Sequence, residues 1–103
     1  MKKYGLLMKF KATEGMADQL ASILLNAAKL VANAKGCQLY VVGKDSTDRN
    51  AVWVSEFWDS LEDHDQSLHV DGVKELMGRA MPLLDGRPEK VSEIEILGGT
   101  GIS

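Results

Sequence analysis

Two histidines, two tryptophans and a strand-borne acid, Glu56, are among the eighteen residues VWVSEFWDSLEDHDQSLH from Val52 to His69. An imidazole titrates near neutral pH, so a half-buried His64 can take a proton from a phenol or an enolisable carbon and later return it, without a metal. A core histidine hydrogen-bonded to a backbone carbonyl is the structural alternative. His69 follows at the wrong spacing to share an ion with His64, and HDQSLH is not the HExxH in which an i, i+4 pair binds zinc. No metal is expected, and His69 reads as a solvated histidine at a helix C-terminus.

Five other residues are weighed beside His64. Trp58 closes a β-rich segment just before the helix, where its ring can wall a pocket for a flat ligand. Trp53 alternates onto the opposite face and reads as packing. Glu56 is an acid within an apolar strand, on the face of Val52, Val54 and Trp58, and is expected to be exposed, functional or paired, across strands or between subunits, with a group such as Lys9 or Arg79. Tyr40 can offer its hydroxyl to a polar ligand atom or place it at the sheet margin. Cys37 has no CxxC partner and reads as a small buried hydrophobe.

These residues need elements to hold them. Tyr4, Leu6, Met8 and Phe10 alternate with Gly5, Leu7, Lys9 and Lys11, the period of a strand. Apolar residues from Met16 to Ala34 recur at steps of three and four, which predicts a long amphipathic helix ended by Gly36. Cys37 to Lys44 and Ala51 to Trp58 are rich in β-formers and flank the polar DSTDRN, a hairpin. Ser60 can cap a helix, with Asp63 three residues on. On that helix Leu61, His64 and Leu68 share a face, read as the buried one. Asp71 and Gly72 interrupt it, and a further helix from Val73 to Met81 stops at Pro82. DGRP leads into a last strand, in which Val91, Glu93, Glu95 and Leu97 alternate with Ser92, Ile94 and Ile96. The glycine-rich 98–103 reads as a flexible tail, since no helix follows to make it a phosphate loop.

The order β-α-β-β-α-β is the split-βαβ, ferredoxin-like arrangement of the α+β class, one antiparallel sheet with helices on one face. Its strands nevertheless carry apolar residues on both faces, with Leu7, Leu39, Val41, Trp53 and Phe57 opposite the helix side. A second copy of the chain is the simplest cover, so a homodimer is expected.

The chain has 103 residues, 45% hydrophobic and 26% charged, with a net charge of −3, which fits one globular domain over 1–103. Scattered lysines and arginines leave no basic footprint for nucleic acid. No apolar run reaches the roughly 20 residues of a membrane helix, and the N-terminal run broken by Lys9 and Lys11 is not a signal peptide. A lone cysteine suits a reducing cytoplasm.

The combination of GC-x-x-Y at Gly36, Cys37 and Tyr40, V-x-E-x-W-x-S from Val54 to Ser60, and a histidine four residues later resembles the antibiotic biosynthesis monooxygenase domain family of dimeric α+β barrel proteins. The E-x-W-x-S part is Glu56, Trp58 and Ser60, and Ser67 to His69 resembles the S-x-H that often follows. The resemblance implies facing sheets in a homodimer and a pocket for a small aromatic or quinol-like molecule. Some members of this family oxygenate polyphenols or quinols with molecular oxygen and no cofactor, which would cast His64 as the base and Trp58 as pocket wall. Relatives that degrade haem need an axial histidine where this chain has Lys74, Glu75 and Arg79, so haem is not expected. Isomerases of small phosphorylated signalling ketones are an alternative, with Arg79, Arg87 and Lys74 as phosphate contacts. A non-catalytic small-molecule-binding dimer is a third reading.

Overall fold

The computed structural model describes residues 2–102; Met1 and Ser103, the last residue of the expected tail, lie outside the described residues. The elements follow the expected order. They are β1 (Lys3–Lys11), α1 (Ala17–Val31), β2 (Cys37–Lys44), β3 (Ala51–Trp58), α2 (Leu61–Ser67), α3 (Val73–Ala80), a 3₁₀ turn (Met81–Leu83) and β4 (Glu89–Ile96). The strands form one sheet in the order β2-β3-β1-β4, every pair antiparallel. This is the ferredoxin-like α+β fold. Among the described residues no helix is long and apolar enough to cross a membrane.

The helix-side face of the sheet supplies most of the core. Tyr4, Leu6 and Phe10 of β1 and Val52, Val54 and Trp58 of β3 are buried there against Leu20, Leu24, Ala27 and Val31 of α1. The i, i+3, i+4 spacing of the α1 residues makes this possible, because it gathers them into one stripe. The helix ends at Val31, short of the expected Gly36: bonds from Ala34 N to Val31 O and from Cys37 N to Ala34 O tighten the chain into turns.

Gly36 then fixes where α2 sits. Its φ of +81° is a left-handed conformation, and a Cβ there would run into the Asp63 side chain. Its carbonyl accepts from the Asp59 N–H at 2.8 Å, which ties the β3–α2 corner to the end of the first crossover. Ser60 caps α2 as expected, with Oγ accepting from Asp63 N at 3.1 Å.

Among the described residues no helix lies over the other face of the sheet. Opposed pairs share a face, so the register Gly5↔Ile94, Leu7↔Ser55 and Leu7↔Ser92 puts Leu7, Phe57 and Ile94 together there. Ile94 is 49% exposed and Val41 51%.

Candidate active site

A cavity of about 300 Å³ opens between the helix-side face of the sheet and all three helices. Its walls are mostly apolar, with Leu6, Met8 and Phe10 from β1, Val31 from α1, and Val73 and Met77 from α3. Three polar side chains converge on one part of it, namely Tyr40, Glu56 and His64. A small, mainly apolar cavity with a few convergent polar groups is the usual form of a small-molecule site.

His64 leans from α2 against the sheet, and its side chain is only 13% exposed. Its ring packs 5.4 Å from Tyr4 and, edge-on at 79°, 6.0 Å from Trp58. Nδ1 lies 3.1 Å from Asp65 Oδ1, and Nε2 lies 3.8 Å from Glu56 Oε1. The Asp65 contact favours a proton on Nδ1, leaving the Nε2 lone pair directed towards Glu56.

Glu56 is 8% exposed and accepts a hydrogen bond from Trp58 Nε1 at 3.0 Å. Burial raises its pKa above the ordinary glutamate value of 4.5, against the pull of His64 and the Trp58 bond. Its expected partners, Lys9 and Arg79, are not there. Lys9 faces the opposite side of the sheet, 5.5 Å over the Trp53 ring, and Arg79 is exposed in grooves between α1 and α3. Tyr40, directly across from Glu56 on β2, has its hydroxyl pKa raised by burial and then by the Glu56 charge.

A raised carboxyl pKa means that Glu56 ionises less readily in the folded chain than in the unfolded one. The resulting stabilisation is complete below about 4.5, the unfolded value, and is lost as pH rises through the folded value. Thermal melts of the wild type and Glu56→Gln should therefore diverge with pH. The wild type gains relative to the variant as pH is lowered from 8 to 4, and a pH-independent difference would refute the shift.

Trp58 is fully buried and lies behind Glu56, outside the cavity lining. It supports the acid and the imidazole. Trp53 is on the outer face, where its indole N–H donates to Asp45 Oδ2 at 2.8 Å, so it is not part of the helix-side core. His69 is exposed just beyond α2. Leu61 and Leu68 correct the expected face of α2: they are 50% and 53% exposed, and the buried positions are Asp63 and Ser67. Leu68 still edges the cavity. Cys37 is partly buried, and burial raises its thiol pKa.

Tyr4 was not singled out by the sequence, yet it contacts His64 and donates from its hydroxyl to Glu93 Oε2 at 2.6 Å. The signal was available, since strand alternation places Tyr4 on the face of Leu6 and antiparallel pairing sets it opposite Trp58. Arg79, Arg87 and Lys74 are exposed and do not line the cavity, so the phosphate contacts expected of an isomerase are not assembled. Among the described residues, no group of three or more His, Cys, Asp or Glu is placed to hold a metal ion.

Residues 4–79 match the family model described as antibiotic biosynthesis monooxygenase. The chain belongs to this family. A Chloroflexus aurantiacus J-10-fl protein carrying the same family name is 36% identical, with 98% of this chain and 99% of that one covered and a TM-score of 0.85. A Caulobacter crescentus CB15 structure of the same name shares the fold at 20% identity, with a TM-score of 0.85 over 94% of this chain and 92% of that one. One from Nitrosomonas europaea does so at 7% identity, with a TM-score of 0.87 over 93% and 91%. No match is found among curated proteins. The family match spans Gly36, Tyr40, Glu56, Trp58 and His64, so the three polar groups named above lie within it.

Proposed function

We propose that this antibiotic biosynthesis monooxygenase family member oxidises a small phenolic or quinol-type compound with molecular oxygen and no cofactor, using His64 as general base. The observation that carries this reading is the His64 imidazole at an apolar cavity, with Nε2 beside Glu56. A quinol hydroxyl at Nε2 would lose its proton, and the electron-rich anion would pass one electron to oxygen. Recombination of the radical pair forms a C–O bond to a ring carbon, and the peroxide then loses water as His64 returns its proton. One quinol and one oxygen molecule give one hydroxyquinone and one water. The apolar walls would shelter the anion and the peroxide from solvent.

Glu56 stabilises the imidazolium formed in the first step, and Trp58 holds Glu56 in place. Oxygen uptake and product mass with a panel of hydroquinones test the reading. Uptake equal to the buffer background across one- and two-ring quinols would overturn it.

The outer face of the sheet supports the second part of the proposal, that two copies stack face to face over Leu7, Phe57, Val41 and Ile94. Light scattering at micromolar concentration should return the mass of two chains, and Phe57→Asp should return that of one. A single-chain mass for the wild type removes the dimer.

A further inference from the structure

Strict alternation along β4 would place Lys90 with Ser92 and Ile94 on the outer face of the sheet. The register shows otherwise. Leu7 pairs with Ser92, but the next residue, Met8, pairs with Lys90, so Val91 is an extra residue in a β-bulge. A bulge re-aims the side chains beyond it, and such bulges are frequent beside active sites. Here the result is that Lys90 turns to the helix side, opposite Met8, and lines the His64 cavity.

Lys90 is the one lysine or arginine among the described residues lining that cavity. It lies at the β4 edge next to Pro88 and is 56% exposed, so it occupies the mouth. The acid end is across the sheet: Glu56 is on β3, and β1 separates β3 from β4. Two strand spacings separate the β3 and β4 backbones, about 10 Å. The cavity therefore carries a carboxyl and an imidazole at one end and an ammonium at the other, with apolar walls between.

That polarity selects a ligand. We propose that Lys90 recognises an acidic substituent, a carboxylate, on the aromatic molecule whose hydroxyl is presented to His64. This rests on the cavity being the oxidation site proposed above and specifies the substrate class as aromatic acids bearing a quinol or phenol. Glu56 sets the direction, because it disfavours a carboxylate at the His64 end. Glu93 is the competing acid at the mouth. Its Oε2 accepts from the Tyr4 hydroxyl, and its Oε1 lies 3.6 Å from Lys90 Nζ, an ion pair too long for a hydrogen bond. The ammonium carries three donors and so can meet a ligand carboxylate from the cavity side.

Binding measured without oxygen separates this proposal from the oxygenase reading. Calorimetric titration of the wild type and Lys90→Met under anaerobic conditions is the experiment, with 6-hydroxy-2-naphthoate, whose hydroxyl and carboxylate lie at opposite ends of the ring system, and 2-naphthol as probes. Lys90→Met should weaken the carboxylate roughly fivefold, the scale of one partly exposed ion pair, and leave 2-naphthol unchanged. Lys90→Arg should retain the preference, and added salt should erode it in the wild type. Equal losses for both probes, no loss for either, or no carboxylate binding to the wild type would each overturn the assignment. An absence of oxygen uptake alongside Lys90-dependent binding removes the reaction and keeps the recognition. Uptake with neutral quinols and no carboxylate preference does the reverse.

Discussion

Replacing His64 with alanine is expected to lower quinol-dependent oxygen uptake by about 10²–10⁴-fold, the usual contribution of a positioned general base. The effect should fall on turnover, since Leu6, Met8, Phe10 and Met77 still form the apolar walls that bind a ring. The fold should survive, because α2 is anchored through Ser60 and its buried Asp63 and Ser67, none of which the substitution touches. A further consequence falls on Glu56. Removing the imidazole removes an attraction that lowers the Glu56 pKa, so Glu56 should shift further upwards. Uptake at the wild-type rate in a folded His64→Ala variant would take His64 out of the mechanism.

Trp58→Ala should cost about 3–5 kcal/mol of stability, the range for deleting a large buried aromatic side chain. Trp58 is fully buried, and its indole is the hydrogen-bond donor to a carboxylate that is itself 8% exposed. The truncation therefore leaves a cavity and takes a partner from a buried acid, two costs that add in the same direction. Against a typical domain stability of about 5–15 kcal/mol, the variant should be marginal at physiological temperature. Urea denaturation of wild type, Trp58→Ala and Trp58→Phe resolves the two parts. Phenylalanine retains most of the packing and lacks the N–H, so it isolates the Glu56 contact. A loss below about 1 kcal/mol in Trp58→Ala would show that the residue is not the support described.

Both residues stand on a fold that was readable because its apolar spacing is regular. Tyr4, Leu6, Met8 and Phe10 alternate through β1, and the stripe on α1 repeats at three and four, so element type and order followed from local geometry. Ser60 announced its helix through a side-chain oxygen placed to accept from Asp63 N. The buried face of α2 was less legible. Leu61 and Leu68 share a helical side with His64, yet a helix of seven residues is oriented by what docks against its ends, and here Asp63 packs on Gly36. Hydrophobic spacing cannot report a contact made by a glycine and an acid from another element.

Partners were less legible still. Glu56 was visible as an anomalous acid in an apolar strand, but within the chain it pairs with neither Lys9 nor Arg79, for two reasons. Strand alternation sends Lys9 to the outer face, and the helical turn sends Arg79 to the outside of α3. Tyr4 was visible only as one member of the β1 alternation, and Lys90 went unnoticed because strict alternation along β4 sends it to the outer face and only the bulge turns it round.

The sequence alone therefore determined the ferredoxin-like order of elements, the two apolar faces of the sheet and the candidacy of Glu56, Trp58 and His64, all of which depend on residue type and local period. The tertiary structure decided that Trp58 supports Glu56 from behind the cavity, that Tyr4 packs on His64, and that a bulge at Val91 brings Lys90 to its mouth. Those outcomes depend on strand register and helix docking, which join residues up to 89 positions apart, as in the Tyr4–Glu93 bond, and which no local pattern encodes.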